Sequence, residues 1–273
     1  MAQSLDSTTR QALLARVRFY RDLGLTEFYR RPVDEELLVR INAERDEAQA
    51  ESATQSFQLE EPTIPPRKPF PSAPAIADAI PLAERAAAMQ LIRDELGECT
   101  RCALHKGRNK LVFGDGSPAA RLMFVGEGPG ADEDSQGLPF VGKAGQLLNN
   151  MIAAMGLKRE EVYIANVVKC RPPGNRVPEQ EEGATCTPFL FRQIDVVRPE
   201  VLVALGATAA TWLLGTRQPL AGLRGRVHAV RGTKLVVTYH PAYLLRDPRQ
   251  KKEAWADLQI AMKELGLKPP GRS

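Results

Sequence analysis

Apolar residues recur in two different rhythms along this chain, and the change of rhythm divides it. Over residues 8–48 the spacing is helical: Leu13, Leu14, Val17 and Tyr20, then Leu37, Leu38 and Ile41 after Pro32. Arginines and glutamates fill the other faces, so residues 1–48 are expected to form a helical N-terminal extension. Residues 49–79 lose the rhythm and carry Pro62, Pro65, Pro66, Pro69, Pro71 and Pro74 among Ser, Glu and Gln. Such a stretch is too poor in apolar residues to build a core, and it predicts a flexible, extended linker.

From residue 80 to 268 the pattern is that of a second domain. A helix is predicted over 81–96, and short continuous apolar runs then alternate with amphipathic stretches. The runs are Arg121 to Val125, Val162 to Val168, Val201 to Leu205 and Leu235 to Tyr239. Helices are predicted over Ala144 to Met155, Thr187 to Val197, Ala207 to Leu214 and 250–265. Uninterrupted apolar strands separated by helices indicate a parallel sheet covered on both faces. The predicted fold is α/β, a three-layer α/β/α sandwich around a four-stranded parallel sheet. In such sheets ligands bind at the carboxyl ends of the strands. Three of the four strands run there into Glu127, Asn166 and His240.

Composition narrows the setting. The chain has 273 residues and is 43% hydrophobic, enough for one large core or two small ones. No apolar run approaches the ~18 residues of a membrane span, and the N-terminus lacks an apolar leader, so a cytoplasmic protein is expected. The net charge is +4. Residues 1–80 are net acidic, so the basic excess sits in the second domain, which suits a polyanionic partner.

Only four cysteines occur: Cys99 and Cys102 as C-x-x-C, then Cys170 and Cys186. In a reducing compartment they read as metal ligands before disulfides. Four soft ligands suit zinc or an iron–sulfur cluster, and spacing leaves both open.

Other motifs carry polar chemistry. Gly126-Glu127-Gly128-Pro129-Gly130 lets a ligand approach the main chain, yet it lacks the Lys and Ser/Thr of a phosphate loop. It is also a poor dinucleotide fingerprint, because Pro129 and the following Asp132, Glu133 and Asp134 would meet the pyrophosphate. Phe140, in L-P-F-V-G-K-A-G, serves either as a helix staple or as a platform for an aromatic base, a contact worth roughly 1–3 kcal/mol. Lys143, Arg171 and Arg176 suit phosphates, the latter two on a loop stiffened by Pro172 and Pro173. Asn166 offers a donor and an acceptor side by side, matching a nucleobase edge. His240 opens H-P-A-Y-L-L-R, where Leu244 beside Arg246 suits insertion between base steps.

Taken together, C-x-x-C, G-E-G-P-G-A-D-E-D-S-Q-G-L-P-F-V-G-K-A-G-Q-L-L, N-V-V-K-C-R-P-P-G-N-R and H-P-A-Y-L-L-R, in that order, resemble the family 4 uracil-DNA glycosylases over residues 91–265. The resemblance implies a [4Fe–4S] cluster on Cys99, Cys102, Cys170 and Cys186. It implies a monofunctional enzyme of base excision repair that flips uracil out of DNA and leaves an abasic site. Phe140 would stack on uracil, Asn166 would read its edge, and Glu133 would obstruct a methyl at C5. His240 would stabilise the departing base, and Glu127 would stabilise the sugar or orient water. Gly128 stands where the best-known uracil glycosylases carry an aspartate. Relatives that cross-link to the abasic sugar use a histidine in an inserted loop. This chain has none there, so ordinary turnover is expected. The expected partner is uracil-containing DNA, engaged by a monomer, with residues 1–50 available to a protein partner. A catalytically silent DNA-binding module and a redox carrier are the competing classes.

Overall fold

The computed structural model describes residues 11, 14, 70, 73–76 and 78–268. The chain divides between Pro65 and Pro66 into two units. The predicted helical extension over 1–48 therefore lies almost wholly outside the described residues, as does most of the predicted linker. The described end of that linker is not free. Phe70 packs edge-on against Trp212 with ring centroids 5.0 Å apart. The Arg231 guanidinium donates to the carbonyls of Pro74 (2.6 Å) and Ala75 (3.1 Å).

The sheet has six strands: β1 Asp115–Gly116, β2 Leu122–Gly126, β3 Tyr163–Asn166, β4 Val201–Leu205, β5 Val227–Val230 and β6 Thr233–Thr238. Their spatial order is β1-β3-β2-β4-β6-β5. The inner four are parallel, as the apolar runs predict, and β1 and β5 add antiparallel edges. The prediction of four strands is corrected here, for a physical reason. β1 is only two residues long and makes no pattern. β5 enters through a tight hairpin whose turn residues Arg231 and Gly232 both have positive φ, +52° and +77°. Such a two-residue turn matches the twist of the strands it joins.

Eight helices surround the sheet among the described residues: α1 Arg85–Leu96, α2 Ala131–Gln136, α3 Lys143–Ala154, α4 Gln180–Val197, α5 Ala207–Leu214, α6 Leu220–Leu223, α7 Pro241–Arg246 and α8 Lys251–Glu264. Successive strand residues point to opposite faces. Met123 and Val125 join a core with Ile92 of α1, Ile194 of α4 and Trp212 of α5. Leu122 and Phe124 join the other core with Leu148 and Ile152 of α3 and Leu258 of α8. The three-layer expectation follows from this alternation.

Helix α4 begins seven residues before the predicted Thr187, so Cys186 and Pro188 lie inside it. The start is set by polar contacts that an apolar pattern does not register. The Glu182 carboxylate accepts the Glu179 N–H at 2.7 Å, and acidic residues fill the positive first turn.

The strand order makes the chain reverse direction across the sheet at β2. The carboxyl end of a strand at such a reversal is where an open α/β sheet leaves a crevice. In register, Gly126 at the end of β2 lies opposite Asn166 at the end of β3. Two strands away, β6 delivers His240 to the same edge.

Candidate active site

A cavity of about 450 Å³ opens at these strand ends, lined by Glu127, Gly128, Glu133, Phe140, Asn166, Arg176, His240, Tyr243 and Arg246 among others. Its floor is set by Asn166, which is 1% exposed and whose Oδ1 has no hydrogen-bond partner. A buried acceptor left unpaired costs roughly 1–3 kcal/mol, so it is expected to meet a donor that arrives from the cavity. Gly126 lets these side chains close up: a Cβ there would collide with Asn166 Oδ1 and with the Phe140 ring, which both pack against its bare backbone.

Phe140 lines the same cavity. It is buried and holds a left-handed φ of +51°, a conformation that costs a non-glycine residue on the order of 1–3 kcal/mol. Two features impose it. Gly145 leaves room for the Phe140 carbonyl, which any Cβ would strike. Arg159 donates to the carbonyls of Pro139 (2.6 Å) and Phe140 (3.2 Å) while Asp115 accepts from it at 3.3 Å. The ring then lies 5.6 Å from the His240 ring, tilted by 33°.

His240 caps α7. Its Nδ1 accepts the Ala242 N–H at 3.1 Å, which places the proton of a neutral ring on Nε2. Burial pushes its pKa down to about 4, the Arg246 charge acts in the same direction, and Glu133 opposes both. At neutral pH the ring is therefore an uncharged donor. The Glu133 carboxylate is fixed by three backbone N–H groups, from Gly130 (3.0 Å), Val141 (3.0 Å) and Gly142 (3.2 Å).

The four cysteines come together at a second, small cavity. Cys99, Cys102, Cys170 and Cys186 line it with Leu96, Leu104, Leu111 and Phe189. Burial raises the thiols of Cys102 and Cys170 and takes Cys186 up to about 12. Arg108 donates to the Cys170 sulfur at 3.3 Å, and the Lys169 N–H donates to the Cys186 sulfur at 3.3 Å. Among the described residues, no group of three or more His, Cys, Asp or Glu side chains is placed to hold a metal ion. Four thiols around an apolar space, with a guanidinium and a main-chain N–H donating to two of them, suit a sulfur-bridged cluster.

Comparison with known proteins agrees with this geometry. The family model of the uracil DNA glycosylase superfamily matches residues 113–259. The type-4 uracil-DNA glycosylase of Thermotoga maritima is 47% identical over 161 residues, covering 58% of this chain and 84% of the relative. That of Archaeoglobus fulgidus is 41% identical over 184 residues, covering 64% and 92%. A type-5 enzyme of Pyrobaculum aerophilum is 34% identical over 145 residues, covering 46% and 62%. This chain belongs to the type-4 uracil-DNA glycosylases.

For a type-4 chain, the residues expected to face DNA are distributed unevenly. Arg246 lines the cavity, and Lys143 is exposed at the start of α3. Arg176 lines the cavity too, but its guanidinium clasps Glu182 at 2.7 and 2.8 Å and reaches Glu179 at 3.1 Å. Glu182 is held below the usual carboxylate range by that contact. These contacts latch the loop to α4. Arg171 donates to Asn175 Oδ1 at 2.8 Å and stays outside the cavity wall. The expectation for Leu244 is corrected. It is 1% exposed and faces α3 and α8, whereas Leu245 is 44% exposed. The α7 helix turns successive side chains about 100° apart, so only one of the pair can face outward. Sequence reasoning assigned no role to Arg159, Asp115, Arg108, Lys169 or Leu245; the last two stand inside quoted motifs, where nothing in the spacing singles them out. No described helix is long and apolar enough to cross a membrane.

Proposed function

We propose that this chain flips uracil out of DNA and hydrolyses its N-glycosidic bond, leaving an abasic site. The observation that carries the reading is the buried, unpaired Asn166 Oδ1 beside the Phe140 ring in the slot that the two line together, a close approach that Gly126 permits. Uracil entering the slot stacks on Phe140. Its N3–H donates to Asn166 Oδ1, and its O4 accepts from the amide N–H. Cytosine presents an acceptor at N3 and a donor at N4, so it leaves two buried groups mismatched. Glu133, fixed by its three N–H donors, sits against C5, where the thymine methyl would press on it.

As the N1–C1′ bond breaks, its electron pair moves into the base and charge builds on O2. The Nε2–H of neutral His240 donates to that oxygen, and no proton need be transferred. C1′ becomes cationic and takes a water oxygen; the proton that the water loses passes to Glu127 or solvent, and the departing uracil anion takes up one proton in exchange. Glu127 lies at the cavity wall to orient that water and balance the sugar's charge, and Gly128 beside it supplies no side chain for the task. Cys99, Cys102, Cys170 and Cys186 would hold a [4Fe–4S] cluster, which when bound would tie α4 and the loop after β3 to the C-x-x-C turn. Arg246, Lys143 and Leu245 serve the DNA, with Leu245 in the wedge role. Arg171 and Arg176 shape the loop that borders it. The chain acts as a cytoplasmic monomer on uracil-containing DNA, and residues 1–50 are the segment for a protein partner.

The test uses the full chain and an oligonucleotide with one uracil, in water enriched in oxygen-18. The expected product is free uracil and an uncut strand whose abasic sugar carries one heavy oxygen. A spontaneously cut strand, or a protein–DNA adduct, would contradict a simple hydrolase.

A further inference from the structure

Lys169 is 1% exposed, and among the described residues no carboxylate pairs with its ammonium. Its Nζ donates to the main-chain carbonyl of Asn166 at 2.9 Å and to Gln193 Oε1 at 2.6 Å. Gln193, itself fully buried on α4, donates onward to the Phe113 carbonyl (3.0 Å) and the Tyr163 hydroxyl (3.2 Å). Both acceptors of the ammonium are neutral. A buried charge with only neutral partners is costly. The anionic character available to it lies on the other side: Lys169 lines the cysteine cavity, and its own N–H reaches the Cys186 sulfur. One residue thus touches the base-reading asparagine with its side chain and a cysteine with its main chain.

We infer that Lys169 is a positioning residue that fixes Asn166 for base reading, and that its ammonium is the buried counter-charge of the cluster held by the four cysteines. The inference rests on the cluster reading given above. A cluster on four thiolates carries net negative charge, which offsets the ammonium. The ammonium in turn favours taking up a further electron, since net charge and nearby donors set the potential of such centres. The same ammonium holds the Asn166 backbone, so the side-chain amide is presented at one height in the slot. The two effects separate by mutation. Lys169→Met keeps the volume and removes both the charge and the donor. Gln193→Glu places a carboxylate on the ammonium and leaves its bond to the Asn166 carbonyl; the lost donor falls on the Phe113 carbonyl and the Tyr163 hydroxyl, away from Asn166.

The experiment measures three things on full-length wild type and both variants: iron per chain, the reduction potential of the cluster, and kcat and KM for uracil release. Wild type and variants are expected to hold equal iron. Both variants should have a lower potential than wild type. Lys169→Met should lose about tenfold or more in kcat with KM little changed, as expected for an interaction that matters in the transition state. Gln193→Glu should keep kcat within about threefold, a change under 1 kcal/mol. Wild type without iron would sink the cluster reading itself. Iron present with the potential unmoved in Gln193→Glu would overturn the counter-charge. Unchanged kcat in an iron-loaded Lys169→Met would overturn the positioning role. If Lys169→Met fails to hold iron, the Gln193→Glu potential decides the inference.

Discussion

The strained Phe140 turn makes Arg159→Met the most informative perturbation away from the reacting atoms. The left-handed backbone at Phe140 stores on the order of 1–3 kcal/mol, which the surrounding contacts must offset. Arg159 supplies two charge-assisted hydrogen bonds to that turn, at 2.6 and 3.2 Å, and is itself braced by Asp115 and by Asn149 Oδ1 at 2.9 Å. Bonds to charged groups contribute ~1.5–3 kcal/mol each when buried. The Arg159 side chain is 24% exposed, so the lower end applies, and the poorer of the two contacts adds little. A loss of about 2 kcal/mol in the orientation of the Phe140 ring corresponds to roughly thirtyfold in kcat/KM. The assay is single-turnover uracil release by wild type, Arg159→Met, Phe140→Ala and the double variant, with urea unfolding to show that each remains folded. Since Arg159 acts through Phe140, the double variant should be little worse than Phe140→Ala alone. Losses that simply add, or an Arg159→Met activity within twofold of wild type, would refute the reasoning.

Other outcomes follow from the same geometry. His240 has a folded pKa of about 4 against an ordinary value of 6.5, so the unfolded chain binds its proton first as pH falls. Stability should therefore drop between pH 6.5 and 4, and His240→Gln should remove that part of the drop in urea titrations at several pH values. The same variant should lose about 10²–10³ in kcat, as oxyanion donors do, while the wild-type rate shows no inflection near pH 6.5 that belongs to this ring. Leu245→Ala should slow release from duplex DNA more than from single strands and leave stability within about 0.5 kcal/mol. Leu244→Ala should instead destabilise the fold by ~2–5 kcal/mol in urea, because it empties a buried site.

The parts of this fold that read directly from the sequence are those governed by burial on both faces. Val201–Leu205 and Ala207–Leu214 stand as the apolar runs predict, since a central strand and the helix packed on it admit few polar residues. Elements specified by polar contacts did not read. The first turns of α4 depend on Glu182 folding back to Glu179, and β5 depends on the two-residue turn at Arg231 and Gly232. The site divides in the same way. Glu127, Asn166 and His240 were candidates because they end strands, and strand ends meet in one crevice. Arg159 reaches the turn 19 and 20 residues away, and Lys169 meets Gln193 across 24 residues. Contacts of that kind depend on the packed structure and leave no periodic trace. Arg176 illustrates the same point: the fold places Glu182 on it, a partner its loop motif does not announce.

The central claim is that the Asn166 amide reads the base. Its most direct test is base release from matched oligonucleotides carrying a single uracil, thymine or cytosine, by wild type and Asn166→Ala. Wild type should release uracil alone, and the variant should lose that release while keeping its iron and its affinity for DNA. Full uracil release by Asn166→Ala, or release of cytosine by wild type, would contradict the account.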